Sequence, residues 1–128
     1  MLKRGIYKII IGPSIELPDL HVRLHALERS EKAAKSAIYN PVRLLPNEKI
    51  TTSDKLLVAL DALAVGRLTG RLSRTGKIIH GARYKVASFP LPSLLAGART
   101  NLARIAALGA NASPPALALN KHCSECVF

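Results

Sequence analysis

The last residues of the chain, NKHCSECVF, hold its two cysteines, Cys123 and Cys126, in a C-x-x-C arrangement next to His122. Two thiolates at this spacing can bind one metal ion, and the imidazole of His122 could add a nitrogen ligand. Zinc and iron–sulfur sites need about four ligands, and the sequence contains no third cysteine. The tail therefore indicates part of a metal or cluster site whose other ligands come from elsewhere.

The remaining histidines do not supply those ligands by their spacing. They are His21, His25 and His80. His21 and His25 lie on the same face of a predicted strand, but four extended residues separate them by about 13 Å. Without a bend in the chain, the two imidazoles cannot bind the same ion.

Acidic residues are the second group with possible chemistry, because hydrolysis of a phosphodiester uses carboxylates to hold Mg²⁺. Only eight acids are present, and none forms a compact pair with another. Asp19 and Glu28, at the two ends of an alternating stretch, are the candidate catalytic residues. Asp61 falls within a helical pattern and is interpreted as facing solvent. Phosphate-binding P-loop, G-x-S-x-G and H-E-x-x-H motifs do not occur, which disfavours those enzyme classes.

Positive charge is the strongest compositional signal. The chain has 19 Lys and Arg against 8 Asp and Glu, a net charge of +11 that is spread along its length. Such a surplus favours a polyanionic partner, above all nucleic acid. One basic turn is predicted to contact backbone phosphates through four residues, Arg67, Arg71, Arg74 and Lys77. The alternative interpretation of this group is a solvated loop.

The composition is that of one small folded unit of 128 residues. Hydrophobic residues make up 48% and can form a core, although aromatic residues are only 4% and tryptophan is absent. The apolar stretch near the start is short and contains Lys8, unlike a signal peptide. No segment approaches the roughly 20 apolar residues of a membrane span, so we expect a cytoplasmic protein with reduced cysteines.

Hydrophobic patterns predict the element order β-β-β-α-β-β-α, an α/β fold. Residues 6–11 are predicted to form a short strand or a buried segment, and the alternating LPDLHVRLHALER predicts one continuous half-buried strand. The third strand, AIYNPVRLL, contains Pro41, which predicts an edge position or a bulge because proline donates no hydrogen bond. A β-hairpin is predicted near His80 and Gly81.

Two helices complete the predicted elements. The first begins at Thr52 or Ser53 as N-cap, and its apolar stripe is predicted to consist of Leu56, Leu57, Leu60, Leu63 and Leu68. The second begins at Pro92 and Ser93 and ends at Gly109. NASPP is interpreted as a linker to the cysteine tail.

Two long stretches resemble a known family. They are YNPVRLLPNEKITTSDKLLVALDALAVGRLTGRLSRTGKIIHG and, further on, PPALALNKHCSECVF. Both resemble the C-terminal part of RecB-like nucleases of the PD-(D/E)xK superfamily, and LHALER is similar to a DALER strand of that family. The H-C-x-x-C-x-F tail after P-x-L-x-L-N is the most specific part of the resemblance.

The resemblance implies an incomplete restriction-endonuclease-like core, with residues 1–110 as a partial nuclease core and 111–128 as a linker and truncated cysteine tail. It implies a metal-dependent deoxyribonuclease that uses Mg²⁺ or Mn²⁺. Cys123 and Cys126 would be two ligands of a 4Fe-4S cluster, with the others before Met1 and beyond Phe128. The implied partners are DNA, favoured over RNA, and the remaining segments of a longer helicase–nuclease protein.

Several residues depart from the family pattern. Aligning LHALER with DALER puts His25 in the place of the catalytic acid. The next strand has Asn40 and Arg43 where an acid and a lysine are expected, and the helix has Leu57 and Asp61 where a Gln-x-x-x-Tyr motif belongs. We therefore expect a nuclease fragment that is inactive on its own. The alternatives are a non-catalytic nucleic-acid-binding protein and a degraded gene fragment without function.

Overall fold

A computed structural model describes residues 7–30, 37–114 and 116 of the chain. These residues form a mixed α/β fold, which confirms the predicted α/β class, although five strands precede the first helix where three were expected. The elements in chain order are β1 (Ile9–Ile11), β2 (Ser14–Leu17), β3 (Leu20–Arg23), β4 (Ala26–Arg29), β5 (Tyr39–Leu45), α1 (Thr52–Thr69), β6 (Thr75–His80), β7 (Lys85–Pro90) and α2 (Pro92–Ala110). His122, Cys123 and Cys126 lie outside the described residues.

One mixed sheet with the strand order β1-β4-β5-β6-β7 is the centre of the fold. The pairs β1–β4, β4–β5 and β6–β7 are antiparallel, whereas β5 and β6 are parallel and are joined through α1. Strands β2 and β3 form a separate two-stranded ribbon. The predicted hairpin is confirmed as β6 and β7 with a turn at residues 81–84.

The prediction of one continuous strand through LPDLHVRLHALER is wrong, because the chain turns a corner between β3 and β4. Two hydrogen bonds join this corner to an earlier bend at Gly12 and Pro13, between β1 and β2. The Gly12 N–H donates to the His25 carbonyl at 2.8 Å, and the Leu24 N–H donates to the Pro13 carbonyl at 2.9 Å. Gly12 has a φ of 62°, which a glycine adopts without strain. The bend turns the β2–β3 ribbon towards α1, and Ile15 and Leu24 are buried in the same apolar cluster as Val65 of α1.

The predicted edge position of Pro41 is also wrong, since β5 lies between β4 and β6. Pro41 faces Leu27 of β4, but the pairing with β6 begins only at Val42. At Pro41 the strand therefore has a neighbour on one side only. This local arrangement explains how a residue without an N–H is accommodated in a central strand.

Helix α1 begins after the N-cap Thr51, one residue before the predicted caps, and ends at Gly70 in the left-handed conformation. The predicted leucine stripe is wrong in part, because Leu57 and Leu68 are exposed while the small residues between them are buried. The helix is packed on several sides, against the ribbon, the sheet and α2. Its buried surface is therefore broader than one stripe, and small residues such as Ala59 and Ala62 allow the close approach.

The N-cap of α1 yields a stability prediction. The Asp54 N–H donates to Thr51 Oγ1 at 3.2 Å, and the Thr51 N–H donates to Asp54 Oδ2 at 2.7 Å, which together form a capping box. Thr51→Ala removes the hydroxyl acceptor, and we expect it to lower the free energy of unfolding by about 1 kcal/mol in urea denaturation. Ser53→Ala, also exposed in the first turn, is the control and should change it by less than about 0.5 kcal/mol.

The same cap has a defined pH dependence. Hydrogen bonds from Thr51 lower the pKa of Asp54 below its ordinary value of 3.8. A lowered pKa in the folded state stabilises the protein above pH 3.8 and loses this effect as the pH falls through the folded-state value. The difference between Thr51→Ala and the unaltered chain should therefore narrow in acid. Equal stability of the two at neutral pH would contradict the cap.

Helices α1 and α2 lie on the same face of the sheet. Val58, Leu63, Ile78, Leu91 and Leu95 are part of the buried cluster that joins the helices to β6. α2 begins at Pro92 and extends to Ala110, which confirms the prediction within one residue. No helix of the described residues is long and apolar enough to cross a membrane.

The opposite face of the sheet, here called the open face, carries side chains that alternate with those facing the helices. By strand register it includes Glu28, Asn40, Val42, Leu44 and Lys77. Leu44 is exposed, as are further large apolar residues in the register of this face, Ile9, Ile11 and Val86. Among the described elements, both helices are on the other side.

Candidate nucleic-acid interface

A buried ion pair connects the sheet to α1. The Arg43 guanidinium donates from Nε to Asp61 Oδ2 at 2.6 Å and from Nη2 to Asp61 Oδ1 at 2.9 Å. Asp61 is 1% exposed, so its interpretation as a solvent-facing residue is wrong. Burial raises the pKa of the Asp61 carboxyl above its ordinary value, and the Arg43 guanidinium opposes this shift. The two residues are therefore a structural pair within the fold.

Glu28, one of the two candidate catalytic acids, lies on the open face and forms an ion pair with Lys77. Glu28 belongs to β4 and Lys77 to β6, so the pair spans β5. Next to it in the register, Asn40 accepts a hydrogen bond at 2.6 Å from the hydroxyl of Ser73, which is buried. Lys77, which was predicted to contact phosphates, is thus turned towards a carboxylate on the sheet.

Asp19, the other candidate catalytic acid, lies in the turn between β2 and β3. Its Oδ1 accepts a hydrogen bond at 2.6 Å from Nη2 of Arg67, in the last turn of α1. This hydrogen bond lowers the pKa of Asp19. The contact attaches the ribbon to the end of α1, and Asp19 and Glu28 each have a different basic partner on a different element.

Glu48 holds the β6–β7 turn. Its carboxylate accepts a hydrogen bond from the Ala82 N–H at 3.0 Å and lies 3.4 Å from Nζ of Lys85. The Ala82 hydrogen bond, followed by the contact with Lys85, lowers the pKa of Glu48. Gly81 adopts a φ of 72°, and a Cβ there would lie 2.7 Å from the Glu48 carboxylate. The positive φ favours glycine at this turn, and a Cβ would also displace the Glu48 carboxylate.

Five of the six acids of the described residues have such a partner, since four pair with arginine or lysine and Asp54 caps α1. Glu16 is exposed and lies 3.9 Å from the imidazole of His21. Within residues 7–30, 37–114 and 116, no group of three or more His, Cys, Asp or Glu side chains is close enough to hold a metal ion. The carboxylates in this part of the chain are therefore used for ion pairs and a helix cap.

Three arginines lie close together in sequence around the end of α1. Arg71 and Arg74 are exposed in the loop between α1 and β6. The loop has a defined shape, since the Arg71 N–H donates to Thr69 Oγ1 at 3.2 Å and the Arg74 carbonyl accepts from the Leu91 N–H at 2.9 Å. Arg67 lies in the adjacent helical turn. We call Arg67, Arg71 and Arg74 the basic turn, which excludes Lys77.

His25 occupies the β3–β4 corner, and its role was missed because the sequence suggested a straight strand. Its Nδ1 accepts a hydrogen bond at 2.9 Å from the N–H of Leu44. β4 pairs with β5 only as far as Val42, so the imidazole satisfies a backbone N–H beyond that point. An open depression of about 460 Å³ lies beside it and is lined by Gly12, Arg23, Leu24, His25 and Leu44.

Comparison with models of known protein families finds no match for this chain, and comparison with the sequences of curated proteins finds none either. The resemblance to RecB-like nucleases therefore stays a prediction. The function has to be inferred from the arrangement of the acids and bases themselves.

Proposed function

We propose that this chain is a nuclease-derived domain that binds nucleic acid through its phosphates and does not cleave it on its own. The observation that carries the proposal is the unequal use of charge. Four acids of the described residues are engaged in ion pairs and Asp54 caps α1, whereas Arg74 in the loop after α1 is exposed. DNA is the proposed ligand, favoured over RNA by the resemblance to deoxyribonucleases.

Phosphate binding follows from this distribution. Exposed arginines attract phosphate oxygens and can form charge-assisted hydrogen bonds to them. The loop of the basic turn has a fixed backbone, which reduces the conformational entropy lost when Arg71 and Arg74 bind. Arginine is also suited to phosphate because its planar guanidinium can donate two parallel hydrogen bonds.

We propose that the chain does not cleave nucleic acid because of the side chains at the positions where the superfamily has its catalytic groups. His25 accepts from a backbone N–H, Asn40 accepts from Ser73, and Arg43 is held by Asp61. These side chains do not fit a Mg²⁺ or Mn²⁺ site, which requires carboxylate oxygens. Cys123 and Cys126, the proposed 4Fe-4S ligands, lie outside the described residues, and no step of the proposed binding depends on them.

The salt dependence of DNA binding tests the basic turn. We expect the affinity for a fluorescein-labelled duplex to fall steeply as salt rises, because phosphate contacts release counterions. In the variant Arg71→Gln/Arg74→Gln, the slope of log K against log salt should become shallower by about 0.9 for each phosphate that is no longer bound by an arginine. Fluorescence anisotropy at several salt concentrations measures both quantities.

A control with the same change in charge is available on α2, where Arg99 and Arg104 are exposed. Arg99→Gln/Arg104→Gln should keep a steeper slope than the variant in the basic turn. Identical slopes for the two variants would show that binding depends on net charge alone. An affinity that does not change with salt would reject phosphate binding altogether.

A further inference from the structure

The depression beside His25 lies where two bends of the chain meet, one between β1 and β2 and the other between β3 and β4. The corner at Gly12 and Pro13 forms one side, and the corner at Leu24 and His25 forms the other, joined by the hydrogen bonds described above. Leu44 at the end of β5 adds an exposed apolar wall. The depression has a volume of about 460 Å³, which is within the range of small-molecule sites, about 300–1,000 Å³.

The polar groups in this depression are hydrogen-bond donors. Because Nδ1 of His25 accepts from Leu44, the neutral imidazole carries its proton on Nε2, which is left as a donor. The Arg23 side chain is exposed and has no hydrogen bond or ion pair with another described residue. Within the part of the chain that the structure describes, no carboxylate lines the depression, and the nearby Asp61 is bound by Arg43. The donors therefore select an anion.

The remaining lining is apolar and favours a ligand that is larger than a free anion. Leu24 is buried at the base and Leu44 is exposed beside it. Gly12 has no side chain, which keeps this side of the depression open. An anionic group attached to a flat or ring-shaped apolar body would satisfy both parts of the lining, and a nucleotide has this combination.

We propose that this depression binds one unpaired nucleotide, with its phosphate on Arg23 and the Nε2–H of His25 and its sugar or base against Leu44. The proposal rests on the proposed function, since it adds a single-stranded subsite to a domain that binds nucleic acid. The nucleotide must be unpaired because a base stacked inside a duplex cannot reach the apolar lining. A phosphate held by Arg23 and His25 needs no metal ion.

The experiment is an NMR titration of the full chain, labelled with ¹⁵N, with deoxyadenosine 5′-monophosphate. We expect the backbone amides of Leu24, His25 and Leu44 to shift. Deoxyadenosine lacks the phosphate that Arg23 and His25 would bind, and inorganic phosphate lacks the sugar and base that would lie against Leu44, so each should bind at least about tenfold more weakly. Equal binding of either fragment would overturn the assignment to a nucleotide.

Two variants test the contacts. Arg23→Gln changes an exposed side chain at the end of β3 and should weaken binding of the monophosphate about tenfold. His25→Gln keeps an amide oxygen for the Leu44 N–H and an N–H₂ donor, so it should retain more affinity than His25→Leu. Arg99→Gln, exposed on α2 on the other side of the sheet, is the control and should bind as the unaltered chain does. An unchanged affinity in Arg23→Gln would overturn the proposal.

The outcome can be separated from that of the proposed function by measuring duplex binding on the same samples. If the duplex binds with a steep salt dependence and the monophosphate does not bind at the corner, only the nucleotide subsite is wrong. If the monophosphate binds at the corner and the duplex does not bind, the subsite stands and the proposed role of the basic turn is wrong.

Discussion

Replacing Arg43 with leucine is expected to lower the free energy of unfolding by about 3–5 kcal/mol at pH 7. The guanidinium forms two hydrogen bonds to Asp61, whose side chain is 1% exposed. Arg43→Leu leaves that carboxylate buried without a cation, and such an uncompensated charge is far more costly than an exposed one. Chemical denaturation followed by circular dichroism measures the change.

The pH dependence of this effect separates lost charge compensation from lost packing. Burial already raises the pKa of Asp61, and removing Arg43 takes away the cation that opposes the shift. A raised folded-state pKa of an acid stabilises the protein below the unfolded-state pKa, and this effect is lost as pH rises through the folded-state value. The deficit of Arg43→Leu should therefore be smallest in acid and grow as the pH rises.

The double variant Arg43→Leu/Asp61→Leu is the control for this prediction. It removes both charges and leaves apolar side chains between β5 and α1, so we expect it to be more stable than Arg43→Leu alone. A double variant as unstable as the single one, together with a deficit that does not depend on pH, would contradict the role of the buried pair.

Gly76→Ala should lower the free energy of unfolding by about 1–3 kcal/mol because of overpacking. A Cβ at position 76 would lie 2.6 Å from Val58 Cγ1 and 3.0 Å from Leu91 Cδ2, both in the core between the sheet and the helices. Alanine otherwise restricts the unfolded chain more than glycine and would be stabilising within a strand. A loss of stability therefore reports the clash, measured in the same denaturation experiment.

Gly109→Ala provides the matched control, because no atom of the described residues lies within 4 Å of a Cβ at that position in the last turns of α2. We expect this substitution to leave stability unchanged or to raise it by about 0.5–1 kcal/mol. Combining Gly76→Ala with Val58→Ala removes the atom that clashes, so the combined loss should be smaller than the sum of the separate losses. A strictly additive result would exclude the Val58 contact as the cause.

Local signals in the sequence were sufficient for the helices and for the β6–β7 hairpin. Pro92 marks the start of α2, and Gly81 marks the turn of the hairpin, because the backbone preferences of these residues act over one or two positions. The corner at His25 could not be predicted in this way. It depends on hydrogen bonds with Gly12 and Pro13, and LHVRLHALER alone has the alternation of one straight strand.

The burial of Asp61 was missed for a related reason. A single acid in an apolar helix has the same sequence pattern whether it faces solvent or an arginine on the neighbouring strand. Arg43 was the available signal, since an arginine within the apolar stretch YNPVRLL requires a buried partner. The leucine stripe failed because α1 is covered by the ribbon as well as by the sheet and α2.

For the candidate interface, the surplus of positive charge could be read from composition, but the division into paired and exposed bases could not. Lys77 and Arg74 are three residues apart, yet Lys77 contacts Glu28 across the sheet and Arg74 is exposed in a loop. That difference depends on β4 and β6 lying on either side of β5. It is set by strand order, which periodicity does not determine.

The most direct test of the proposed function is to incubate the chain with single-stranded and duplex DNA, in Mg²⁺, in Mn²⁺ and in EDTA, and to measure binding and cleavage on the same samples. We predict salt-dependent binding that persists in EDTA and no cleavage with either metal. Metal-dependent cleavage that is abolished by Asp19→Ala or Glu28→Ala would contradict the proposed function. A failure of both DNAs to bind at low salt would contradict it as well.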